Sequence, residues 1–220
     1  MYILHSSPDS ASLIVRLVLE ELGLPYEARQ IDRAAGQLDS ASYRALQPLG
    51  KIPALETPEG PMFETAAILL YLSEKHGALA PQPGDGDRPA FLSWLFFVAF
   101  NLHPVVLDVF YTARVAGPEN VDAVLARAVP RLHVCLNVLD SMVASQAPGF
   151  LSEAPSILGY YLAVLMRWLG DMPQGQPARI DSADYPALHK VLAALELRPA
   201  ALACARAEGL GATIFTHPAS

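Results

Sequence analysis

Three short stretches of the sequence place chemically useful side chains close together. The first is Ser6-Ser7-Pro8-Asp9-Ser10-Ala11-Ser12, a run of hydroxyls just ahead of an apolar helical pattern. A helix N-terminus has backbone N–H groups without intrahelical partners and the positive end of the helix dipole, so hydroxyl donors there stabilise an anion. The same serines can equally serve as a plain helix cap. The second stretch is Gln47-Pro48-Leu49-Gly50-Lys51-Ile52-Pro53-Ala54-Leu55, a turn with an amide and an ammonium followed by an Ile-Pro bond. Lys51 supplies the charge a carboxylate needs, unless the turn is merely solvated. Pro53 can take the cis bond at modest cost, or be an ordinary trans proline opening a strand. In the third stretch, Glu64-Thr65 opens another apolar helix, where a hydroxyl and free N–H groups suit a negative ligand group or a simple cap. Cys135 and Cys204 lie far apart in apolar surroundings, and the histidines are scattered. No zinc spacing, Cys-x-x-Cys pair or disulfide framework follows, so neither a metal nor redox-disulfide chemistry is expected.

These residues need a scaffold. Residues 2–5 read as a short strand and residues 10–22 as a helix closed by Gly23, with Ile14, Val18 and Leu22, flanked by Val15 and Leu19, as its buried face. A second strand at 26–31 completes a βαβ unit. Residues 39–46 form a weak helix. Short strands at 53–56 and 61–63 flank Thr57-Pro58-Glu59-Gly60, and a helix spans 65–76. Beyond a Pro- and Gly-rich stretch only helical patterns remain, at 89–115, 119–145, 156–170 and 187–207. The reading is an α/β domain over residues 1–77, a linker over 78–88 and an all-helical domain over 89–220.

The motif order, from the Ile52-Pro53 turn through Glu64-Thr65 to the helices, closely resembles the cytosolic glutathione transferase superfamily over nearly the whole chain. The resemblance implies a thioredoxin-like first domain that binds glutathione as co-substrate. It also implies a helical domain that supplies most of the pocket for a hydrophobic electrophile. In the family the proline is cis, and the residue before it, here Ile52, pairs with the cysteinyl part of glutathione like an added strand. Thr65 would then receive the γ-glutamyl carboxylate, Glu64 the amino group, and Gln47 with Lys51 the glycyl end. Catalysis requires a donor that stabilises the glutathione thiolate. Setting Val15-Arg16-Leu17 on the family's first helix puts Ser10 at the serine-type position, with Ser12 and Ser7 as alternatives. Ala11 stands at the cysteine-type position and His5 or Ser6 near the tyrosine-type one, so neither of those residues is present.

Trp94-Leu95-Phe96-Phe97-Val98-Ala99-Phe100-Asn101-Leu102-His103-Pro104 looks like the first long helix of bacterial beta-class members. That likeness would put Asn101 and His103 near the ligand sulfur and let Phe110, Tyr111 and Arg114 extend the electrophile site. A lone His beside apolar residues can also be structural, and Trp168 reads as core. One departure is Ser156-Ile157-Leu158-Gly159, where the family usually has a Ser/Thr-x-x-Asp capping box. Family members usually dimerise, so a homodimer is expected.

Composition fits this picture. The chain has 220 residues, 52% apolar and only 17% charged, with a net charge of −7. That excludes a disordered chain, and there is no basic footprint for nucleic acid. Its mean hydropathy is positive, +0.28, so the most apolar window, residues 91–110, has to be weighed as a membrane span. Asn101, His103, Pro104 and Asp108 argue for a core helix instead and against a membrane partner. The first residues show neither a basic n-region nor a long apolar run, so a soluble cytoplasmic protein is expected.

Overall fold

The computed structural model describes residues 1–145 and 151–218. The N-terminal part contains β1 (Tyr2–Ser6), α1 (Ser12–Glu21), β2 (Tyr26–Gln30), the short α2 (Ala41–Arg44), β3 (Ala54–Thr57), β4 (Gly60–Phe63) and α3 (Thr65–His76). The strands form one mixed sheet in the order β2-β1-β3-β4, with β1 and β2 parallel and the other pairs antiparallel. This is a thioredoxin-like arrangement with helices against a four-stranded sheet. Leu13, Ile14, Leu17 and Val18 of α1 lose all exposure between the sheet and the later helices. At α2, Tyr43 joins Ile31 and Ala54 in a smaller cluster.

The C-terminal part is helical: α4 (Arg88–Phe97), α5 (His103–Phe110), α6 (Thr112–Ala116), α7 (Val121–Ala144), α8 (Ile157–Gly170), α9 (Pro186–Glu196) and α10 (Pro199–Glu208). Two of the expected long helices are divided. The 89–115 pattern passes through a π-type turn at Val98–Leu102 and stops at Tyr111, whose φ of −113° and ψ of 31° leave the helical region. The 187–207 pattern breaks at Arg198, extended at φ −66° and ψ 142° because Pro199 follows it. The first helix is shorter than its pattern. It begins at Ser12 after Ala11, which offers no side-chain cap, so Ser10 is not the cap residue.

Arg88–Phe110 forms a continuous helical stretch that is long and apolar enough to cross a bilayer by length and composition alone, with mean hydropathy 1.8 and 33% of the window buried. Its second half, from Val98 to Phe110, packs against α7 and α8. The segment between α3 and α4 is pinned at several points. Ser73 Oγ donates to Ala78 O at 2.6 Å, Leu79 O accepts the Ile157 N–H at 2.9 Å, and Arg88 bonds Pro81 O at 2.6 Å and Glu74. The main buried cluster runs unbroken from the sheet through α1 and α3 into α8 and α9.

Candidate functional site

The sheet register gathers the three chemically suggestive stretches at one end. His5 of β1 stands opposite Ala54 of β3, and Ala54 stands opposite Phe63 of β4. One step further, Ser6-Ser7, Ile52-Pro53 and Glu64 must lie side by side. On the other flank the Ile31 N–H donates to Ser6 O at 2.8 Å, and Ser7 borders a groove of about 530 Å³ with Gln30, Ile31, Asp32 and Arg33.

Within the first loop the serines form a closed hydroxyl network. Ser10 Oγ donates to Ser7 O at 2.7 Å and lies 2.9 Å from Ser12 Oγ. Ser12 Oγ also reaches Ser7 O, at 3.1 Å, and accepts the Ser7 N–H at 3.2 Å. Ser12 is fully enclosed and Ser10 is half-buried. Ser7 O, with its two lone pairs, is within reach of both hydroxyls. With Ser12 bonded there, the Ser10 hydroxyl can turn toward a ligand without any heavy atom moving.

Asp9 fixes this loop. Its φ of +46° is unusual for a residue with a side chain and costs on the order of 1–3 kcal/mol. Its N–H donates to Glu208 Oε2 at 2.8 Å. Its carboxylate accepts Arg167 Nε at 3.0 Å, Arg167 Nη2 at 2.9 Å and the Trp168 indole N–H at 3.0 Å. Arg167 is 1% exposed and also donates to Ile214 O at 3.1 Å.

On the opposite side of the cluster the Ile52–Pro53 bond is cis. Ile52 stands beyond the last ladder pair, and among the described residues its backbone N–H and C=O have no partner, leaving a strand stub for an extended ligand. Gln47 is buried, and its Oε1 accepts the N–H groups of Leu49 at 2.7 Å and Lys51 at 3.1 Å, which leaves its amide N–H groups as its donors. Tyr43 OH donates to Lys51 O at 2.6 Å, so the Lys51 backbone is held while its ammonium stays in solvent. Gly50 is required in this turn: at φ +62° an added Cβ would sit 2.6 Å from Leu38 O. Glu64, at φ +68°, precedes the first residue of α3, and Thr65 is buried at that helix start.

The facing wall comes from α5 and α8. His103 Nδ1 lies 2.7 Å from Tyr161 OH, and its ring packs edge-on to Tyr161 and tilted against Trp168. Burial and the Lys51 charge push the His103 pKa down to about 4, so the ring is neutral near pH 7. Burial raises the Tyr161 pKa and the Glu64 charge adds to it, so the charges of Lys51 and Glu64 both bear on this wall. Phe110 packs edge-on to Trp168. Asn101 is exposed, and two positions from His103 on a helix it faces a different way. Tyr111 and Arg114 form a separate pair, with the guanidinium 4.8 Å from the ring centroid.

Tyr161, Arg167, Trp168 and Asp9 escaped the motif reading, and Trp168 is a half-buried bridge rather than core. One signal was present: an arginine inside the otherwise apolar run of α8 cannot be buried without a carboxylate partner.

Residues 4–83 match the family model described as glutathione S-transferase, N-terminal domain. The solved glutathione S-transferase of a sphingomonad, complexed with glutathione, shares 30% identity at a TM-score of 0.77, covering 95% of this chain and 100% of that one. Glutathione S-transferase F9 of Arabidopsis thaliana is 30% identical over 147 residues, 63% of this chain and 68% of the relative. The disulfide-bond oxidoreductase YfcG of Escherichia coli is 28% identical over 204 residues, 90% of this chain and 91% of the relative. With the same sheet, the same helical follow-on and this extent of likeness, the chain belongs to the cytosolic glutathione S-transferase superfamily.

Proposed function

We propose that this protein is a glutathione S-transferase that joins the glutathione thiolate to a hydrophobic electrophile. The observation that carries the reading is the unpaired Ile52 backbone, set by the β3–β4 register beside Glu64 and the start of α3. An extended peptide would add to this stub, with its γ-glutamyl carboxylate at Thr65, its amino group at Glu64 and its glycyl carboxylate at Lys51. Gln47 shapes the Lys51 turn from beneath. The cysteinyl sulfur then falls toward the Ser7–Ser12 loop, where Ser10 is the preferred donor, Ser7 the alternative, and the enclosed Ser12 the hydroxyl that takes over Ser7 O. The thiol loses its proton to solvent, the thiolate attacks the electrophilic carbon, and a C–S bond forms as the leaving group departs with its electron pair. His103, Trp168 and Phe110 supply the apolar wall. Because Cys135 and Cys204 are buried, with thiol pKa values raised by burial, the reacting sulfur is that of glutathione.

The two domains, 1–77 and 89–220 joined by 78–88, belong to the same reading, as do a homodimer and a detoxifying role in the cytoplasm. Unpaired cysteines support a reducing compartment. A glutathione-dependent isomerase, dehalogenase or etherase would use the same thiolate. A protein that binds glutathione or apolar ligands without turnover is favoured by the hydroxyl network, which keeps the Ser10 proton occupied in the free protein.

Ser10→Ala tests the assignment. The pKa of bound glutathione is expected to rise by about one unit and kcat/KM to fall at least about tenfold, with glutathione affinity kept. An unchanged thiol pKa removes Ser10 from the mechanism. Retention on glutathione-agarose without turnover over a panel of electrophiles would favour the binding protein.

A further inference from the structure

The loop that carries the hydroxyls is held by something none of them supplies. Asp9 sits between Ser7 and Ser10 in the left-handed region, and its N–H and both carboxylate oxygens are engaged by the C-terminal helices: its N–H by Glu208 of α10, its carboxylate by Arg167 and Trp168 of α8. Trp168 in turn packs against His103 and Phe110, the wall proposed to meet the electrophile. A bidentate Arg–carboxylate pair fixes direction as well as distance, and Arg167 is itself enclosed. One carboxylate therefore sets both the tilt of the serine loop and the seat of the indole.

We propose that Asp9 is a positioning residue that ties the thiolate-stabilising serine loop to the electrophile-facing wall at Trp168. The inference rests on the transferase reading. Asp9 touches neither glutathione nor electrophile; it acts through Ser10 on one side and Trp168 on the other. Binding of glutathione, through Ile52, Lys51 and Glu64, does not pass through it. Its loss should therefore damage thiol activation and turnover far more than glutathione affinity.

The experiment compares Asp9→Asn and Trp168→Phe with the wild type in three measurements. These are glutathione affinity, the pKa of the bound thiol from thiolate absorbance, and hydrogen exchange of the Ser7 to Ser12 amides in the ligand-free protein. Asp9→Asn is expected to keep affinity within about twofold, to raise the thiol pKa by about one unit, and to lower kcat at least about tenfold at similar KM. Exchange should accelerate in that loop. Trp168→Phe, which removes the indole N–H together with one of the two fused rings and keeps a single aromatic ring, should show the same pattern more weakly and stands in if Asp9→Asn does not fold. Folded variants with wild-type thiol pKa, kcat and loop exchange would overturn the inference, even if they were less stable to heat. If the wild type neither binds nor turns over glutathione, the transferase reading fails. The exchange measurement then decides Asp9 by itself: acceleration confined to the loop supports it, and none overturns it.

Discussion

A histidine enclosed by aromatic rings and facing a lysine is held in its neutral form, and His103 has both neighbours. Its pKa falls from 6.5 to about 4, burial being the larger cause and Lys51 the lesser. The unfolded chain takes up this proton near pH 6.5 and the folded chain only near 4, so between those values the unfolded state binds more protons. Stability is thus fully present above pH 6.5 and is lost as pH falls, by about 3 kcal/mol once pH 4 is reached. His103→Asn should flatten this part of the stability curve, measured by denaturant unfolding between pH 7 and 4.5; equal slopes in the two proteins would contradict it. On the proposed transferase reading, a neutral His103 would add no charge to the thiolate, leaving that work to the hydroxyls of the serine loop and the start of α1. At this scale the sequence was readable where a motif names a backbone geometry, as at Ile52-Pro53 and Glu64. It was unreadable where side chains meet across long separations: nothing near Asp9 announces Arg167, and Gln47 looks free to bind until its oxygen is found inside its own turn.

Helix α8 shows how one element reconciles burial on all sides with an intact start. Ser156 Oγ accepts the Gly159 N–H at 2.9 Å, so Ser156→Ala should cost about 1 kcal/mol in denaturant unfolding. The missing carboxylate of the capping box has a packing reason. Gly159 is buried, and an added Cβ would lie 3.2 Å from Leu195 Cδ1 and 3.2 Å from Ser156 Oγ. Gly159→Asp should therefore destabilise the protein by on the order of 1–3 kcal/mol, although it completes the motif. A gain in unfolding midpoint would show that α9 yields at this point. Helical patterns were plain in the sequence, while their divisions were less so: Pro199 marks one break, but the π-type turn at Val98–Leu102 has no signature in an apolar run.

For the whole molecule, the apolar surplus of the sequence is only partly absorbed by the core. Phe96 and Phe100 stack on each other while 44% and 71% exposed, and Val134 on α7 is 61% exposed. These surfaces support the proposed homodimer. Sedimentation at micromolar concentration should give about twice the 23.7 kDa chain mass. A monomer at that concentration would remove the dimer from the proposal. The order of sheet, connection and helices could be read from the sequence, whereas the single core shared by both parts could not, since no motif states which helix face meets which.

The connection between α3 and α4 has a consequence for access. Its carbonyls are claimed by Ser73, by Arg88 and by the first amide of α8, so it works as a splint rather than a joint. Bending there would have to break these bonds. On the proposed transferase reading, selection among electrophiles would then fall to side chains lining the site rather than to motion at this connection.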